Sequence, residues 1–151
     1  MNDIPNPVTA IDLEQAVTPG LARRLAAMLY DWLLLFALIL VATSLITLPF
    51  GMPSGIGLVL FQAFIFILIP MVFFVGFWIR GGQTLGMRSW RIKLVTDNGQ
   101  ALGLSSALGR LLAALLSLLP CGLGFIWIVF DADRLTWHDR LSKTRMVMLQ
   151  K

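Results

Sequence analysis

Residues 32–79 read WLLLFALILVATSLITLPFGMPSGIGLVLFQAFIFILIPMVFFVGFWI, and they contain no Asp, Glu, Lys or Arg. One helix crosses the hydrocarbon of a bilayer with about 20 apolar residues. A run of 48 residues, Trp32 to Ile79, therefore holds two crossings. The motif PFGMPSG at 49–55, with two prolines and two glycines, is the turn between them. The first helix is expected from Leu21 to about Leu48 and the second from Ile56 to Ile79. Pro70 falls inside the second, where a kink is expected rather than a break. Composition agrees: 58% of the 151 residues are hydrophobic and only 13% charged, against about 25% charged in a soluble domain.

Charge placement gives the orientation. Arg23 and Arg24 precede the first helix, while Arg80, Arg88, Arg91 and Lys93 follow the second. The turn between them has no cation. By the positive-inside rule both ends of the hairpin face the cytoplasm. Residues 1–20 are polar, slightly acidic and rich in proline. They lack the basic start and short apolar centre of a cleavable signal, so a mobile cytoplasmic tail (1–20) ahead of a membrane domain (21–151) is expected. The location implied is a membrane, crossed more than once, with the N-terminus in the cytoplasm.

Beyond the hairpin the character changes. In RGGQTLGMRSWRIKLVTDNGQALGL, residues 80–104, Trp90, Ile92 and Leu94 alternate with Arg91 and Lys93. That is the period of a half-exposed strand, and Asp97-Asn98-Gly99 signals a turn. The closing TRMVMLQK (144–151) has a weaker strand character, and the two stretches can pair as a small cytoplasmic β element. The third apolar region, 104–130, holds Arg110 and the break PCGLG at 120–124. Its first part reads as an amphipathic helix, and Phe125–Phe130 as a short apolar piece. One crossing would place Arg134, Arg140, Lys143, Arg145 and Lys151 outside, against the positive-inside rule. Two crossings need about 40 residues, and 27 are present. A re-entrant or interfacial hairpin meets both limits; a single transmembrane crossing is the other reading. The fold class is thus an all-α membrane protein: a two-helix transmembrane hairpin, a third apolar re-entrant or transmembrane segment, and the β element.

Asp31 lies about 12 Å deeper than Arg23 along the first helix. A carboxylate there costs about 3 kcal/mol on insertion scales and usually has a partner. Arg24 and Asp31 share a helix face, but two turns separate them. Arg110, the only cation inside the third apolar region, is the best partner for Asp31; Asp131, Asp133 or Asp139 can serve Arg24. These charges can be structural staples, or an ion or proton path, or a docking point for lipid or protein.

Three motifs in order carry a family resemblance: RRLAAMLYD (23–31), GGQTLGMRSWRIKLVTDNGQALGL (81–104) and DADRLTWHDRLSKTRMV (131–147). Together they resemble the RDD family, small bacterial membrane proteins named for one arginine and two aspartates. The resemblance covers nearly all of the chain after the tail. It implies Arg24, Asp31 and Asp139 as the motif residues. It further implies a transporter or cation/proton exchanger subunit; a non-transporting accessory subunit of a larger membrane complex is the alternative.

The remaining residues point to no chemistry. His138, the sole histidine, sits beside Asp139 and reads as an interfacial, locally bonded side chain; one histidine makes no metal site. Cys121, the sole cysteine, allows no internal disulfide. Trp78, Trp90, Trp127 and Trp137 read as interface markers. GGQTLG lacks the lysine of a phosphate loop, and no nucleophile–base set is grouped. No enzyme activity, cofactor, metal or nucleic acid is expected. The net charge of +4 is scattered beside apolar segments, where anionic headgroups are the nearer partner. The expected partners are the lipid bilayer and either further copies of the chain or a larger membrane-protein complex.

Overall fold

The computed structural model describes residues 13, 16–119, 123–131 and 135–149. Most of the expected tail and the centre of the PCGLG break lie outside the described residues, as does Asp133. Helix α1 spans Leu21–Phe50 and α2 spans Ile56–Gly81, joined by 51–55. Each is long and apolar enough to cross a membrane. Pro49 is taken into the end of α1, so the turn is shorter than expected from the two prolines. Pro70 causes no break in α2. The helix widens to a π-helical stretch, Phe64–Leu68, just before it, which absorbs the missing amide and ring bulk.

Past α2 the chain builds a compact cap on one end of the hairpin. Gly82 turns it with φ 69°, and a Cβ there would sit 2.5 Å from the Leu94 carbonyl, so the position demands glycine. A short helix α3, Leu85–Ser89, follows, where the sequence reads only as a glycine-rich loop. Strand β1, Ile92–Thr96, begins two residues later than the alternation starts, because Trp90 and Arg91 (φ 55°) form the turn out of α3. Helix α4, Leu104–Leu118, and a short α5, Leu123–Ile126, come next. Helix α5 lies against the end of α4: a Cβ on Gly124 would lie 2.6 Å from Cβ of Ser117. Helix α6, Trp137–Ser142, leads into β2, Thr144–Met148. As expected, β1 and β2 pair, antiparallel, with Ile92 opposite Met148 and Thr96 opposite Thr144.

The core lies where the N-terminal half of α1, the end of α2, α3, β1 and α4 meet: Ala27, Val75, Trp78, Met87, Ile92, Leu94, Leu102 and Ala107. Trp78 is 7% exposed, which corrects its reading as an interface marker; Trp90, Trp127 and Trp137 are partly exposed. The far halves of α1 and α2 are the opposite case. Beyond Leu35 no residue of α1 is buried, and Leu48 and Phe50 are 84% and 86% exposed. Apolar side chains so exposed require a lipid environment or a partner.

Candidate functional site

Asp139 is the centre of the buried charge. Thr136 is the N-cap of α6, and its hydroxyl accepts from the Asp139 amide while the Thr136 amide donates to Asp139 Oδ2 at 3.0 Å. This capping box fixes the carboxylate at the helix start. There Arg24, in the first turn of α1, donates Nη1 to Oδ2 at 2.7 Å, and its Nε donates to the Pro19 carbonyl at 3.2 Å. From the other side Arg110 of α4 places Nη2 2.7 Å from Oδ1. Its Nη1 donates to the Thr144 hydroxyl at 2.5 Å, and its guanidinium lies 5.7 Å from the Trp78 ring centroid. Arg24, Arg110 and Asp139 are 4%, 1% and 1% exposed. One carboxylate therefore ties together α1, α4 and α6.

Asp31 is bonded elsewhere. Its Oδ1 accepts from the Gly86 amide at 2.8 Å, and its Oδ2 accepts from the Thr84 hydroxyl. Thr84 is the N-cap of α3 and accepts in turn from the Met87 amide at 3.2 Å. Asp31 thus satisfies free donors at a helix start, a position where negative charge is favoured. The expected pairing of Asp31 with Arg110 is overturned, because Asp139 occupies Arg110. Arg24 takes Asp139 rather than Asp131. Asp131 instead accepts from Arg140 at 2.6 Å and from the Leu135 amide at 2.9 Å.

The revised role of Asp31 changes what its substitution does. An asparagine in its place would still offer an acceptor to the Gly86 amide and a donor to the Thr84 oxygen, so Asp31→Asn should cost only about 1 kcal/mol. Asp31→Leu strands two buried donors at about 1–3 kcal/mol each. Denaturant titration of both variants checks this. Equal losses would speak against a capping role.

His138 is buried, not interfacial. Its ring faces Phe125 with centroids 4.5 Å apart, and Nε2 lies 2.9 Å from the Thr136 hydroxyl. Burial, reinforced by Arg110 and Arg24 and opposed by Asp139, pushes its pKa from 6.5 down to about 3. The unfolded chain thus binds a proton that the folded chain refuses, so stability must rise with pH between about 3 and 6.5. The slope approaches ~1.4 kcal/mol per pH unit. Unfolding curves at stepped pH should show this slope and lose it in His138→Gln; an unchanged slope would contradict the assignment. Burial raises the Asp139 carboxyl, but Arg110 and Arg24 outweigh it and hold the group well below the usual range. Its contribution is present above pH ~4 and lost only in stronger acid.

A small cavity of about 50 Å³ lies between Arg24, Asp31, Trp78 and Thr84, room for a few waters. Among the described residues no three His, Cys, Asp or Glu side chains converge on a metal-sized space.

Two long apolar helices capped by an internally bridged charge cluster define a small helical membrane protein. The RDD family model matches residues 18–143, and the chain belongs to the RDD family. No curated protein and no solved structure matches it significantly. The capping box Thr136-Trp137-His138-Asp139 and Thr84 ahead of α3 are readable as helix starts, yet the helices they open are too short to show a period.

Proposed function

We propose that this RDD protein is a non-transporting accessory subunit of the bacterial inner membrane, multi-pass with its N-terminus and cap in the cytoplasm, that docks on a larger membrane complex or on lipid. The observation that carries this reading is that the motif charges are consumed internally. Asp139 bridges two arginines, and Asp31 caps α3. A carrier carboxylate must exchange its partner for an ion or proton. Release of Asp139 would leave two buried arginines unpaired, at a cost of several kcal/mol, and release of Asp31 would strand the two donors at the start of α3, at about 1–3 kcal/mol each. Polar side chains along the hairpin past Asp31 are also few: Thr43, Ser44 and Thr47 near the far end of α1 and Gln62 on α2. No catalytic role is assigned.

One observation favours the second reading, a cation or proton exchanger subunit: the cavity beside Asp31 places space for water next to a membrane carboxylate. Ion flux in proteoliposomes separates the two. The accessory reading expects none in sodium, potassium or proton gradients. Flux in the wild type that disappears in Asp31→Asn at equal insertion would overturn it.

Topology is testable on the same material. With Cys121 replaced by Ser, single cysteines at Lys93 and Lys143 should react only from the cytoplasmic side, and one at Met52 only from outside. External labelling at Lys143 would turn α4 into a third crossing.

A further inference from the structure

We propose that Gln62 is the contact by which two copies of this chain associate in the membrane. This rests on α1 and α2 being the membrane hairpin and is independent of the accessory reading.

Gln62 lies six residues into α2, about 9 Å from its end at 1.5 Å per residue. Ser44, six residues before the end of α1, comes to the same level of the antiparallel hairpin. Both are exposed on the monomer. The residues around and beyond them are strongly apolar: Leu45, Leu48, Val59, Leu60 and Ile56 are all more than half exposed. The level of Gln62 is therefore inside the hydrocarbon, not among headgroups.

An amide there has two donors and an acceptor to satisfy. Among the described residues the Gln62 amide has no hydrogen-bond partner. Thr47 solves the same problem locally by donating to the Thr43 carbonyl at 2.9 Å, a bond open to a short hydroxyl side chain. A glutamine amide is also self-complementary: two of them, facing each other, each donate to the other's oxygen. A second copy related by a two-fold axis along the membrane normal brings an identical amide to the same depth. Most other lipid-facing groups on this hairpin offer no such match. Nothing from the cap covers this part, since the spanning windows of α1 and α2 are only 6% and 11% buried. Polar side chains are the recognised glue between helices in lipid, where apolar contact gives no preference over the acyl chains. Val59, one turn before on the same face, and Ser44 on α1 would flank the contact.

The test uses full-length protein with Cys121 replaced by Ser, in native membranes. Copper–phenanthroline oxidation of Gln62→Cys and Val59→Cys should give a disulfide-linked dimer. Leu60→Cys, on the opposite face, should not. Separately, single-molecule photobleaching in liposomes should show dimers for the Gln62 protein. Gln62→Leu should raise their dissociation constant about 3- to 30-fold, the range that interhelical hydrogen bonds in lipid support. Equal cross-linking at 60 and 62, or dimerisation unaffected by Gln62→Leu, would overturn the proposal. Carbonate extraction of the same samples keeps the two failures apart: a protein released by carbonate overturns the membrane reading, and a retained monomer overturns this one.

Discussion

Asp139→Ala should lose about 4–6 kcal/mol of folding stability. The substitution removes the carboxylate that Arg24 and Arg110 share and leaves both guanidinium groups buried. Removing one partner of a buried ion pair costs roughly 3–5 kcal/mol, because the remaining charge stays desolvated. The same change removes the acceptor for the Thr136 amide in the capping box, for about 1 kcal/mol more. Small domains are stable by about 5–15 kcal/mol, so the loss takes much of the total. Asp139→Asn keeps an acceptor for the cap but not the charge, and should fall between. Chemical unfolding in mild detergent, followed by tryptophan fluorescence, gives the order: wild type, Asp139→Asn, Asp139→Ala. A wild-type midpoint for Asp139→Ala would show that the bridge carries no stability.

Gly86→Ala is the second large effect, and it comes from shape rather than charge. A Cβ on Gly86 would run into the Ala27 carbonyl and lie 2.9 Å from the Asp31 carboxyl. The nearest obstacle is backbone of α1, which cannot rotate away. Helix α3 has to lift, and lifting it stretches both bonds to Asp31. Overpacking typically costs 1–3 kcal/mol, and the lost bonds place this case near about 3 kcal/mol. Gly109→Ala is the control. A Cβ there meets nothing within 4 Å, and alanine in a helix interior is favoured by about 1 kcal/mol over glycine. The two substitutions should move stability in opposite directions. A tolerated Gly86→Ala would contradict the close seating of α3 on α1.

The two long helices are legible in the sequence because Trp32–Ile79 carries no charge and only the turn at 49–55 interrupts it. The pairing of β1 with β2 is legible from alternation and the Asp97–Gly99 turn. The cap is less so. Helices α3 and α6 are five and six residues long, too short for periodicity to appear, and their only signals are Thr84 and Thr136 as caps. The motif residues Arg24, Asp31 and Asp139 are legible as a set, but their pairing is not. The sequence favours Arg110 for Asp31 because Arg110 is the only cation inside the third apolar region. The structure reverses this, since α6 carries Asp139 to Arg110 and α3 brings two donors to Asp31. The burial of His138 is hidden for a similar reason: a single imidazole in a polar stretch gives no sign of the Phe125 ring that covers it.

The Arg24–Asp139–Arg110 bridge clamps the cap to the hairpin. A double-mutant cycle on Arg24→Met and Asp139→Leu tests it, with unfolding free energies of the wild type, both single variants and the pair. A clamp predicts that each single change is severe and that the pair recovers part of the loss, with a coupling of about 2 kcal/mol or more. Additive losses, with no coupling between Arg24 and Asp139, would contradict it.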